Sequence, residues 1–245
     1  MLNAEIKTEK LKAMVEIVET IVDEVKLNID GEGITIKAVD PAHVAMVDMS
    51  LNKDAFESYE AEETELGINL NKIDQFLNLA SAGSVVKMEH VEDENRLTLQ
   101  VENITRKMPL IDTAGMTDPS VPQLDLPIAL KLEGKHLLKG VKASQNISDH
   151  VAITAGPDGF EIFSEEDEDN VRLSLLKDDL LELDAKEEVR SLFALDYFSN
   201  MIKSVSANTP INVELGKDYP IKMEFDYAEG DGHVRFLLAP RIESA

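Results

Sequence analysis

The sequence predicts an α+β fold built as two tandem, similar domains, and three observations carry that expectation. Amphipathic helical periods are few and short, and they alternate with runs of strand alternation bounded by Gly, Asp and Asn. The order helix, strands, helix, strands occurs twice, at an offset of about 125 residues. Between the copies lies IDTAGMTDPSVPQLDLP, residues 111–127, which holds Pro119, Pro122 and Pro127, no lysine or arginine, and no period of either kind. Fully extended it could span on the order of 55 Å. The expected organisation is one domain over 1–110, a connector over 111–127 and a second domain over 128–245.

In the first half, Leu11, Met14, Val15, Val18, Ile21, Val22 and Val25 recur at three- and four-residue steps, which predicts a helix over 8–25. Thr8 suits the N-cap, and Glu9 suits the positive end of the helix dipole. Strands are expected over 25–29 and 34–38, around the turn Asp30-Gly31-Glu32-Gly33. The stretch 44–51 alternates with apolar residues on both faces at its start, as an inner strand does. A strand over 65–68 leads into a second helix over 70–80, with Ile73, Phe76, Leu77 and Ala80 on one face. Strands over 85–91 and 96–103 form a hairpin around Glu92-Asp93-Glu94-Asn95, and 104–110 is the last strand before the connector.

The second half repeats this order. A helix is expected over 135–145, with Leu137, Leu138 and Val141 apolar. Strands over 151–155 and 160–163 flank Gly156-Pro157-Asp158-Gly159, and a strand follows over 171–176. A strand over 191–195 runs into a helix over 196–206, and strands over 211–215, 221–227 and 234–238 close the series. Val15 corresponds to Val141, Leu27 to Ile153, Ile34 to Phe160, Leu70 to Leu195 and Leu97 to Ile221.

Composition narrows the function classes. At 245 residues and 43% hydrophobic content the chain can bury two cores. No apolar run reaches the roughly 20 residues needed to span a bilayer. MLNAEIKTEK lacks the apolar centre of a signal peptide, so a cytoplasmic protein with no membrane partner is expected. The absence of cysteine removes disulfides, thiolate catalysis and cysteine-ligated zinc together. There is no G-x-S-x-G, no Walker A and no H-E-x-x-H, and Gly31-Glu32-Gly33 never completes a dinucleotide fingerprint. The five histidines are scattered singly, and the run Glu165-Glu166-Asp167-Glu168-Asp169 lacks the spacing of a calcium loop. No catalysis, metal or cofactor is expected.

A net charge of −24 argues against nucleic acid as a partner, yet only charges within a Debye length of ~8 Å are felt locally. The lysines are more informative than the total. Lys10 and Lys12 lie on the first expected helix, Lys72 on the second, Lys139 and Lys142 on the third, and Lys203 on the fourth. They are either ordinary solvated helix surface or, brought together, one positive face.

At this point several segments carry a resemblance. Ala38-Val39-Asp40-Pro41-Ala42-His43-Val44-Ala45-Met46-Val47 resembles the D-x-x-H-V strand signature of the proliferating cell nuclear antigen sliding clamps. Gly67-Ile68-Asn69-Leu70 resembles their G-V-N-L entry to a second helix, and Tyr219-Pro220-Ile221 their V-P-L segment. The ending Phe236-Leu237-Leu238-Ala239-Pro240-Arg241-Ile242-Glu243 is similar to their L-A-P-K-I-E tail. The likeness runs from end to end and is closer to the archaeal members.

This resemblance implies the DNA-clamp fold, with helices lining the inside of a ring and antiparallel sheets outside. It implies a homotrimer that encircles duplex DNA without reading sequence. Such a ring is a non-catalytic processivity factor, without cofactor, working beside the nucleoid in replication and repair. The partners implied are DNA polymerase, clamp loader, flap endonuclease and ligase, each engaging through a short glutamine-and-hydrophobic peptide. The matching pocket positions are Val39, His43, Val44, Met46, Val121, Pro122, Pro220, Leu237, Ala239 and Pro240. DNA contacts are expected from Lys10, Lys12, Lys72, Lys139, Lys142 and Lys203. The sequence departs from the family pattern at Ala13, Glu19, Gln75, Asn78 and Asp196, which are neutral or acidic. That weakens the expected grip on DNA, which a topologically held ring tolerates.

Unpaired strand edges invite pairing, and a closed ring removes them. The strands over 103–110 and 171–176 are therefore expected at sheet edges, meeting between subunits through Ile104, Met108, Val171, Leu173 and Leu175. Two other classes remain open, a clamp-fold scaffold that never encircles DNA and an acidic two-domain enzyme with an unrecognised site.

Overall fold

A computed structural model describes residues 1–91 and 94–242. The expected turn residues Glu92 and Asp93 and the tail residue Glu243 lie outside the described residues. The first of two compact units takes in Met1–Pro41, Val47–Ser120 and Asp226–Val234. Its first elements are β1 (Leu2–Lys7), α1 (Thr8–Glu19), β2 (Glu24–Asp30), β3 (Gly33–Val39) and β4 (Ala45–Asn52). After these come β5 (Ser58–Ala61), β6 (Thr64–Asn69), α2 (Leu70–Leu77), β7 (Val85–His90), β8 (Arg96–Val101) and β9 (Ile104–Pro109). One sheet has the order β5-β1-β7-β8-β9, and in the other the order β4-β3-β2-β6 holds.

The second unit takes in Ala42–Met46, Val121–Phe225 and Arg235–Ala245. It begins with β10 (Ile128–Glu133), α3 (Gly134–Ser144), β11 (His150–Gly156), β12 (Gly159–Glu166) and β13 (Asp169–Leu176). It continues with β14 (Glu182–Ala185), β15 (Val189–Ala194), α4 (Leu195–Lys203), β16 (Pro210–Leu215), β17 (Ile221–Tyr227) and β18 (Gly232–Leu238). Here the orders are β14-β10-β16-β17-β18 and β13-β12-β11-β15, the first unit's two series over again. β4 and β18 each give residues to both units.

Each unit closes its core with a pair of helices. α1 packs on α2 and β1, burying Leu11, Met14, Val15 and Val18, while α2 buries Ile73, Phe76 and Leu77. α3 packs on α4, β10, β12 and β13, and Phe198 of α4 is fully buried. Gly140 lets α3 come down onto β12, because a Cβ there would overlap Ile162. Among the described residues no helix is long and apolar enough to cross a membrane.

The structure differs from the sequence reading in identifiable places. α1 ends at Glu19 rather than 25, since the Thr20 hydroxyl donates to the Ile17 carbonyl at 2.7 Å and closes the last turn. Val25 continues the apolar period in sequence but sits in β2 opposite Ile68, a strand position that suits its β-branch. α2 stops at Leu77 after starting from Asn69, whose side chain accepts from Lys72 N at 3.1 Å. β1, β5, β10 and β14 stand where no strand was expected. β5 and β14 have only four residues each, too few to show a period. β1 and β10 bury Leu2, Ala4 and Ile6, and Ile128, Leu130 and Leu132, an alternation that was legible.

Candidate functional site

The second unit contains a cavity of 790 Å³ between the loop before β4, the tail after β18, and α3 and α4. Val44, Ala239 and Pro240, three of the expected pocket residues, line it together with Ala42, Ala194 and Tyr197. Two backbone contacts set this wall. Ala239 N donates to Val44 O at 2.8 Å, and Arg241 N donates to Leu192 O at 2.7 Å. His43 adopts a left-handed backbone (φ 56°) that turns the chain into Val44, and its own side chain is exposed. The rest of the lining is polar, with Gln145 and Asp149 after α3, and Asp196, Asn200 and Lys203 on α4. An apolar wall facing amides and carboxylates can seat a peptide side chain that is part hydrocarbon and part hydrogen-bonding.

The other expected pocket residues are placed differently. Met46 and Leu237 are 7% and 6% exposed, so they belong to the core. Pro220 is half-buried, beyond a turn that Ser191 holds by donating to Gly216 O at 2.9 Å and accepting from Asp218 N at 3.0 Å. Val121 is half-buried and Pro122 exposed, and Val39 ends β3 in the first unit. The polar wall from α3 and α4 was missed by sequence reasoning. In sequence these residues look like ordinary solvated positions, since Asp196, Asn200 and Lys203 lie on the exposed face of α4 and Gln145 and Asp149 follow α3.

The six lysines expected at DNA fall into two groups. Lys72, Lys139, Lys142 and Lys203 are exposed, and none of their ammonium groups has an ion pair among the described residues. Lys12 pairs with Glu16 one turn on at 3.7 Å and donates to Asn78 at 2.5 Å. Lys10 is held by Glu229 at 3.0 Å and Asp231 at 3.5 Å. The hydrogen bond to Glu229 raises its pKa above the usual lysine value. Two carboxylates therefore compete with any phosphate for Lys10.

Carboxylates also crowd the C-terminal end of α1. Glu19 is raised above the usual carboxylate range, first by burial and then by Asp74, Asp23 and Glu16. Its Oε1 is buried without a hydrogen-bond partner. Among the described residues no group of His, Cys, Asp and Glu is arranged to hold a metal ion.

β9 and β13 each end a sheet, as expected for 103–110 and 171–176. Of the residues expected at subunit contacts, Ile104 is exposed, Val171, Leu173 and Leu175 are half-buried, and Met108 is buried.

The sequence profile of the proliferating cell nuclear antigen N-terminal domain matches residues 1–114, and that of the C-terminal domain matches residues 120–241. The DNA polymerase sliding clamp of Natronomonas pharaonis is 39% identical over 247 residues, and that of Methanosarcina mazei 42% over 245 residues. Both alignments cover 100% of each chain. Among solved structures, A. fulgidus PCNA with the C-terminal region of FEN-1 bound superposes with a TM-score of 0.93 at 30% identity, covering 100% of both chains. PCNA from Thermococcus kodakaraensis gives 0.92 at 26% identity, covering 98% of this chain and 100% of that one. Matched end to end by both domain profiles and by these archaeal relatives, the chain belongs to the proliferating cell nuclear antigen family.

Proposed function

We propose that this chain is a DNA polymerase processivity factor, a sliding clamp that catalyses nothing itself and tethers replication and repair enzymes to duplex DNA. The domains are 1–110 and 128–245, joined by the connector 111–127, and three copies close a ring. The observation that carries the assembly is that β9 and β13 both stand at sheet ends. In the repeated strand order β13 stands where β4 does and β9 where β18 does. β13 and β9 each have a sheet neighbour on one side only. Two different edges that pair between copies make a head-to-tail contact, which generates a ring where the rotation between copies closes.

Inside the ring, Lys12, Lys72, Lys139, Lys142 and Lys203 meet phosphates, with Lys10 contributing less because Glu229 and Asp231 hold it. Phosphate contacts alone position DNA without reading its sequence. The partner pocket is the cavity behind Val44, Ala239 and Pro240. Polymerase, clamp loader, flap endonuclease and ligase would enter it with a glutamine-and-hydrophobic peptide, the hydrophobic residue acting as anchor.

The test is to load the purified chain with a clamp-loading ATPase onto nicked circular DNA. Retention on the circle, with release when the DNA is linearised, is the expected result. A chain that never stays on circular DNA refutes encirclement and leaves a protein scaffold.

A further inference from the structure

We propose that Lys26 and Asp118 form an electrostatic latch that positions the connector for its partner peptide, an inference that rests on the partner-pocket reading above. Lys26 lies on β2 with its side chain only 9% exposed, so its ammonium group needs partners within reach. Glu65 on β6 supplies one at 2.9 Å. The second is Asp118 of the connector, at 3.2 Å. Asn28, two residues along β2 and therefore on the same face, donates its amide to both Asp118 oxygens at 3.2 Å. One connector carboxylate is thus held by two side chains of one strand.

The connector is also pinned where it starts. Residue 67, opposite Lys26 in β6, is glycine, and the chain crosses it with Ile111 N donating to Gly67 O at 2.8 Å. A Cβ on Gly67 would overlap the Ile111 carbonyl, so the crossing needs glycine. Between the two pins the chain closes a tight loop, with Met116 N donating to Thr113 O at 2.8 Å and Ala114 N to Asp112 Oδ1 at 2.9 Å. Ile111 and Asp118 therefore return to the same strand pair. Beyond Asp118 come Pro119, Ser120, Val121 and Pro122. Prolines fix φ, so little freedom lies between the latch and the two residues expected to meet the peptide. The connector packs few apolar side chains, so the charge-assisted contacts of Asp118 with Lys26 and Asn28 give the segment a polar anchor in their place. Asp118 is a positioning residue, since it acts on the peptide through Val121 and Pro122.

Asp118→Asn keeps the shape and removes the charge. Asp125→Asn makes the same charge change elsewhere on the connector, and Asp118→Glu restores the carboxylate. Two measurements are made on each full chain, amide hydrogen exchange over 111–124 without peptide, and titration of a labelled glutamine-and-aromatic clamp-binding peptide. Asp118→Asn should speed exchange across the connector and weaken the peptide roughly fivefold, because a smaller fraction of chains is competent to bind. Asp118→Glu should recover part of both effects, and Asp125→Asn should leave both as in the wild type. Wild-type exchange in Asp118→Asn overturns the latch. Faster exchange with unchanged affinity overturns its role in positioning. A wild-type chain that binds no peptide refutes the pocket reading, and the exchange comparison then still decides whether the latch exists.

Discussion

The ring edge offers the sharpest test, through Ser174→Pro. Ladder bonds alternate along antiparallel pairs, so each residue of an edge strand points its N–H either into its own sheet or out of it. Lys177 N donates to Asp158 O at 3.0 Å, which makes the odd-numbered residues of β13 the ones bonded to β12. Leu176 N, an even-numbered one, turns instead to Asp179 at 3.0 Å. The N–H groups of Asn170, Arg172 and Ser174 therefore face the free edge, and that of Leu173 faces Ile162. In β9 the same reasoning starts from Leu110 N donating to Asn95 O at 3.2 Å, and it leaves Thr105 and Lys107 outward. Pro109 falls on that outward set, where a missing N–H costs the sheet nothing. Ser174→Pro should thus spare the fold and remove one of few donors at the subunit interface. One missing ladder bond of about 1 kcal/mol, with an opposing carbonyl left unpaired at about 1–3 kcal/mol, weakens each interface by roughly 30- to 1000-fold. Sedimentation velocity across a dilution series should show monomer where the wild type is trimer, with a melting temperature matching that of wild type diluted until it too is monomeric. Leu173→Pro breaks an internal bond and should lower the melting temperature as well. If Ser174→Pro sediments like the wild type at every concentration, the subunit interface is not at β13.

Three further outcomes are expected. Val44→Arg should abolish binding of the clamp-binding peptide with ring assembly intact, whereas Met46→Glu should first of all destabilise the chain, since Met46 is buried and a carboxylate there has no partner; peptide titration alongside thermal melting separates the two. Alanine at Lys139, Lys142 and Lys203 together should reduce the slope of log K against log salt for duplex DNA by about 0.9 for each phosphate no longer neutralised, without changing sequence preference. Glu19→Gln should stabilise the chain modestly at neutral pH, because it removes the charge of a half-buried carboxylate from among Asp74, Asp23 and Glu16. With its folded pKa raised, Glu19 destabilises as pH climbs from its unfolded value through its folded one, so the gain should vanish in acid melts.

The duplicated α+β order, the helix faces and the connector were legible from the sequence because each rests on local chemistry. Leu11, Met14, Val15 and Val18 share a face by helical spacing alone, and Pro119, Pro122 and Pro127 exclude helix and inner strand wherever the chain goes. The edge positions of β9 and β13 were expected from the closed ring that the resemblance implies rather than from local chemistry, and both strands end their sheets. Helix ends could not be read, because Val25 satisfies a helical period and a strand equally until Ile68 is placed opposite it. Nor could sequence sort the expected pocket residues. Val44 and Met46 lie two apart with similar chemistry, yet one lines a cavity and the other is core, which depends on what the rest of the chain brings against each. The same holds for charge. Lys10 and Lys203 look alike in sequence, but carboxylates more than 200 residues away in the chain hold Lys10, and Lys26 finds its second carboxylate on the connector. Periodicity is a local property, whereas burial and ion pairing belong to neighbours in space, and only the tertiary structure chooses those.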